Sequence, residues 1–138
     1  MSNEIALMRE IARLEEKINA LRTIEIGGVW QDWTSVISPS VGAITSYTIA
    51  YARYTVIGKF LSLKADFTIT NNGTGSGVLF CSLPINAIGN SILVGRGQDG
   101  NILQGIAIGG LCWIFTYNNL YPGGTGHRIR LSGNYEIA

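Results

Sequence analysis

After its first 25 residues this 138-residue chain has little charge. Nine of residues 1–25 are charged, against ten of the remaining 113, whereas an ordinary soluble domain has roughly a quarter of its residues charged. Part of the surface of such a domain is expected to be covered, and further copies of the chain are the simplest cover. Titratable chemistry is equally scarce. Beyond residue 25 the carboxylates are Asp32, Asp66, Asp99 and Glu136, the one histidine is His127, and Cys81 and Cys112 sit in apolar runs. No spacing assembles these into paired carboxylates, a Ser-His-Asp set or a metal-ligand cluster, so no enzyme, metal site or cofactor is expected. The two cysteines read as buried free thiols. A net charge of +1 gives no electrostatic footprint for nucleic acid or an anionic membrane surface. No apolar run approaches the roughly 20 residues of a membrane-spanning helix. Met1-Ser2-Asn3-Glu4 lacks the layout of a signal peptide, so synthesis in the cytoplasm without secretion is expected.

What the N-terminus does have is a repeat. Leu7, Ile11, Leu14, Ile18 and Leu21 are spaced four-three-four-three, which places isoleucine at a and leucine at d of a coiled coil. The stripe is narrow, strictly a and d, and flanked by charge, as a stem between identical chains requires. A single amphipathic helix lying on its own β domain is the bland alternative. Gly27 is the expected helix stop, giving a stem over residues 1–26. A helix of this length is marginal alone in water, so association must supply stability. Isoleucine at a with leucine at d favours parallel dimers. In such a pair, however, Glu10 faces Glu15 and Lys17 faces Arg22, which are like-charge contacts. The stem therefore does not fix its own strand number, and the larger head is expected to decide it.

From Val29 onward the period changes from helical to alternating. Leu61, Leu63, Ala65, Phe67 and Ile69 alternate with Ser62, Lys64, Asp66 and Thr68, which predicts a strand with one buried and one wet face. Similar runs are 52–57, 78–83, 102–108, 111–117 and 128–131, separated by turn-forming stretches at 71–77, 95–101, 109–110 and 118–126. Strands at about ten-residue spacing with no helices between them predict a mainly β head over residues 29–138, an antiparallel jelly-roll-like sandwich. No internal repeat is present. Gly95-Arg96-Gly97-Gln98-Asp99-Gly100 matches the letters of a dinucleotide fingerprint, but Asn101-Ile102-Leu103-Gln104-Gly105 is a poor helix to follow it, so a hairpin loop is expected.

Several of these features occur in a recognisable order. Trp30-Gln31-Asp32-Trp33-Thr34 follows the coil, and Tyr54 with Gly58 comes next. Asn71-Asn72-Gly73-Thr74-Gly75-Ser76-Gly77 then runs into Leu83-Pro84, and Leu131-Ser132-Gly133-Asn134-Tyr135 closes the chain. Together they resemble the small C-terminal head domains of tailed-phage tail fibres and receptor-binding proteins. The resemblance covers nearly all of residues 29–138 and rests on order and spacing, because each motif alone is turn chemistry. It implies a homotrimeric β-sandwich head behind a coiled-coil stem, located on the virion. Such a head would recognise a host-surface receptor, often a saccharide, and the stem would contact other virion proteins. A typical fibre has a long N-terminal docking segment, whereas here the coil directly precedes the head. The stem itself is therefore expected to dock, or the chain to be a fragment. A capsid decoration or head-fibre protein is the structural alternative. A cellular trimeric jelly-roll ligand module is the alternative from another class, although it would normally be secreted.

Aromatic faces and amides hold sugars, through C–H surfaces and hydroxyl groups respectively. The segment 117–124 supplies both, which makes Tyr117, Asn118, Asn119 and Tyr121 the leading candidate contacts; tyrosines packed beneath the loop or between subunits are the alternative. Arg96 and Asp99, in the 95–101 loop, form the second candidate set. Trp30 and Trp33 are expected to seal stem to head.

Overall fold

The computed structural model describes residues 2–25 and 28–138, with side chains described for 3–19 and 28–138. One helix, α1 (Ser2–Glu25), precedes nine strands: β1 (Gln31–Asp32), β2 (Ile37–Val41), β3 (Ser46–Ile57), β4 (Phe60–Asn71), β5 (Ser76–Ser82), β6 (Ser91–Arg96), β7 (Ile102–Ile108), β8 (Leu111–Thr116) and β9 (His127–Glu136). The protein is thus mainly β with one N-terminal helix. Every helix side chain from Asn3 to Asn19 is exposed. Leu7, Ile11, Leu14 and Ile18 are each about half exposed or more, so within one chain the apolar stripe does not lie on the β domain. The side chain of Leu21 and the expected stop at Gly27 lie outside the described residues.

All strand pairings are antiparallel, in one sheet ordered β1-β3-β4-β9-β6-β7-β8-β5-β2. Residues 33–36 tie its two edges together and so curl it. The Trp33 amide donates to Ala52 O on the β3 side (3.0 Å), and Ser82 N donates to Val36 O on the β5 side (3.0 Å). The Trp33 indole donates to Ser82 O (2.9 Å) while its ring meets Tyr54 edge-on at 6.1 Å. Trp33 therefore helps close the sheet; the stem side chains that the expected seal would involve, from residue 20 to 27, lie outside the described residues. Trp30 is about half exposed.

The curled sheet encloses one core. Leu61, Leu63, Ala65, Phe67 and Ile69 of β4 point inward, as their alternation predicts, against Leu79, Leu93, Leu103, Ile114, Ile129 and Leu131 from the other strands. Gly133 lies opposite Leu63, and a Cβ there would come within 2.4 Å of Leu93 Cδ2; the missing side chain is the room that Leu93 occupies. Cys81 and Cys112 are cross-strand partners, both buried and free. Burial raises both thiols, Cys81 to about 11 despite a contact with the Ser35 hydroxyl, so neither supplies a thiolate near neutral pH.

Strand 102–108 falls where the pattern predicts it, and the other expected runs lie within or across observed strands. β3 begins six residues before Ala52 because a register shift between Ile49 and Tyr51 lets pairing with β4 continue. Three strands are additional: the two-residue β1, and β2 and β6 of five and six residues. β2 carries Pro39, tolerated because β2 is an edge, and β6 joins β7 to β9. One expectation is corrected: Asp66, placed on the wet face by alternation, is only 2% exposed. It does lie on the outer face, but arginines from β9 cover it there.

The antiparallel order gives the head two ends. Gly28 packs so closely on Thr55 and Val56 that a Cβ would fall 2.3 Å from Thr55 Oγ1. The N-terminal segment therefore enters beside the end of β3, next to the Ile57–Phe60 hairpin. At the opposite end lie the turns joining β4 to β5, β6 to β7, and β8 to β9.

Candidate functional site

The two candidate loops come together at the end away from the N-terminal entry. Gln98, Asp99 and Asn101 from one loop, Tyr121 and Gly123 from the other, and His127 at the start of β9 line a small cleft of about 130 Å³. Within the second loop, roles divide. Asn119 adopts φ +63°, a left-handed conformation that asparagine tolerates in turns, and its Oδ1 accepts from Gln104 Nε2 at 2.7 Å. Asn118 Oδ1 accepts from the Thr116 hydroxyl, and Leu120 N donates to Thr116 Oγ1 at 2.9 Å. The amide oxygens of both asparagines thus build the turn.

Tyr121 is half-buried and donates its hydroxyl to Asn72 Oδ1 at 2.7 Å; burial raises its pKa. Asn72 in turn donates to Gly75 O at 2.9 Å, so the Asn71–Gly77 turn anchors this tyrosine. Gly42 completes the clamp on that turn: at φ +74° a Cβ would come 2.1 Å from Thr74 O. Tyr117 is 69% exposed and is the aromatic of the loop whose ring is free to meet a ligand, though it does not line the cleft.

Arg96 packs over Gly100 of its own loop and also belongs to a feature that loop composition does not reveal. Cross-strand registration places Tyr51, Asp66, Arg130 and Arg96 in one row across β3, β4, β9 and β6. The adjoining row is Arg53, Lys64, Ser132 and Val94, and Arg128 follows opposite Thr68. Successive outward positions on a strand are two residues apart, so 128 and 130, 64 and 66, and 51 and 53 share one face. Of the six lysines and arginines beyond residue 25, all but Lys59 lie on it.

Asp66 organises this face. Arg128 grips it bidentately, Nε to Oδ1 at 2.9 Å and a terminal nitrogen to Oδ2 at 2.6 Å, and Arg130 Nε lies 3.7 Å from Oδ2. The Arg128 hydrogen bonds, with the charges of Arg128 and Arg130, hold the carboxyl below its ordinary value against the opposing effect of burial. Gln98 links the arginines to the loop cleft, its Oε1 accepting from Arg128 N at 3.1 Å. Arg96 has no carboxylate partner among the described residues. Arg96, Gln98, Arg128 and Arg130 border an open depression of about 370 Å³. A second depression of about 400 Å³ shares Arg96 and Arg130 and reaches Tyr51 and Lys64. There the Lys64 ammonium stands 5.1 Å from the Trp30 ring centre and 5.9 Å from that of Tyr51, within cation–π range.

Sequence reading thus found Arg96 but missed Arg128, Arg130 and Lys64. The signal was present: Arg128-Ile129-Arg130-Leu131 alternates, which sends both guanidiniums to the face opposite the core. Among the described residues no cluster of histidine, cysteine and carboxylate side chains could hold a metal ion, and no helix is long and apolar enough to cross a membrane. No family model matches the chain, and neither a curated protein nor a solved structure matches it.

Proposed function

We propose that this chain is the stem and head of a tailed-phage fibre or receptor-binding protein, and that it acts as a homotrimer to bind a saccharide on the host surface. The observation that carries the reading is the polarity of the molecule. An exposed heptad stripe enters at one end of the head, and the polar cleft between the two candidate loops opens at the other. The curled sheet, pressed over one core, supports a jelly-roll-like head. Trimerisation accounts for a second feature. Ile92, Ile106, Trp113 and Phe80 form an uncharged row across the outer face of β6, β7, β8 and β5, with Ile92 at 67% exposure and the other three half-buried. A partly exposed apolar row of this kind is a candidate for cover by further copies, whereas the cationic face on β3, β4, β9 and the Arg96 end of β6 would repel its own copies. Apolar face inward and cationic face outward satisfies both.

The reading is tested on cells. Fluorescently labelled full-length chain should bind the host bacterium and slow adsorption of the phage that carries it. A chain that neither binds nor competes contradicts the proposal.

A further inference from the structure

From the arginine row we infer a binding site for an anionic saccharide, one whose carboxylate or phosphate substituents are held by Arg96, Arg128 and Arg130. The inference rests on the receptor-binding reading for the saccharide. The charge argument is independent of it. Three arginines border one open depression, and the buried carboxylate beside it, Asp66, is fully committed to two of them, Arg128 and Arg130. Arg96, exposed and without an acidic partner, is left to meet a ligand. Guanidinium matches carboxylate and phosphate oxygens two at a time, so clustered arginines recognise oxyanions better than they do neutral hydroxyls.

The surroundings favour a sugar polymer over a nucleic acid. From Tyr51 to Arg96 the row spans three interstrand spacings, roughly 14 Å, and the adjoining cleft offers Gln98, Asp99 and Asn101 for hydroxyl groups. The chain as a whole has a sequence pI of about 7.8, below the strongly basic range of nucleic-acid-binding domains. Lys64, occupied by Trp30 and Tyr51, adds positive potential at the rim.

The test uses the full chain and its Arg96→Gln variant. Arg96 makes no ion pair within the head, so the substitution leaves the fold intact, and an unchanged melting curve verifies this. Binding is measured by biolayer interferometry to immobilised polygalacturonate, poly(glycerol phosphate) teichoic acid, dextran and a single-stranded DNA oligonucleotide, at low and high salt. The expected result is binding to at least one of the two acidic polymers and not to dextran, weakened at least about tenfold by Arg96→Gln and weakened further by salt. Preference between polygalacturonate and teichoic acid separates carboxylate from phosphate. Failure to bind either acidic polymer, indifference to Arg96→Gln, or binding of DNA alone each overturns the inference. Host-cell binding that persists undiminished in Arg96→Gln overturns the inference but leaves the receptor-binding reading standing. Loss of host-cell binding by the unsubstituted chain removes that reading itself.

Discussion

Arg128→Ala should cost more stability at neutral pH than Asp66→Asn, although the two residues share one ion pair. The asymmetry follows from burial. The Asp66 side chain is 3% exposed and that of Arg128 46%. Removing Arg128 takes away both close hydrogen bonds to the carboxylate and leaves Arg130, whose Nε is 3.7 Å away, as its cationic partner among the described residues; water that enters where Arg128 lay offsets part of that loss, and whatever burial remains weighs against the charge. Removing the charge of Asp66 instead frees two arginines that already reach solvent, at a cost of about 1 kcal/mol or less. The pH dependence has a definite sign. Asp66 has a folded pKa below its ordinary 3.8. The stability it contributes is therefore complete above about pH 4 and is lost as pH falls through the folded value. Thermal melts of the native chain and Arg128→Ala should be well separated at pH 7 and converge as the pH falls below about 4 and through the folded pKa of Asp66. Equal losses in the two variants would show that Asp66 is more hydrated than its geometry indicates.

The second large effect is on mass. Light scattering of the full chain at micromolar concentration should give about three times the 14.9 kDa of one chain. The exposed stripe of α1 cannot stabilise a lone helix of this length in water, and the uncharged row Ile92, Ile106, Trp113 and Phe80 adds a second surface that association would cover. A segment limited to residues 28–138 should keep its β structure, since its core draws on no described helix residue, and should associate more weakly. A monomeric full chain would remove the stem from the account. A stable dimer would mean that the isoleucine and leucine pattern outweighs the head.

Much of the fold was legible because alternation is a local property. The inward set of β4 and the strand at 102–108 follow from period two alone, and the glycine-rich stretches mark the turns. What stayed hidden depends on partners far along the chain. β2 includes Pro39, which a local reading counts against a strand until its place at a sheet edge is known. Asp66 looked wet because alternation reports the face and not what covers it, and its cover comes from Arg128 and Arg130, more than sixty residues away. The candidate loops were found from composition, yet composition could not distinguish Tyr117, which is exposed, from Tyr121, which is tied to Asn72. Nor could it foresee that Arg96, while packing over Gly100 of its own loop, borders the same depression as the arginines of β9. Register across the sheet, which creates the cationic row, exists only once β4, β9 and β6 are paired.

The central claim, that this chain is a virion fibre meeting the host, is tested most directly by locating the protein on particles. Antibody raised against the full chain should place immunogold at the tail tip or on fibres of the phage, with the head pointing away from the virion. Label confined to the capsid shell would contradict host recognition and favour a decoration protein; absence of label from purified particles would contradict a virion role altogether.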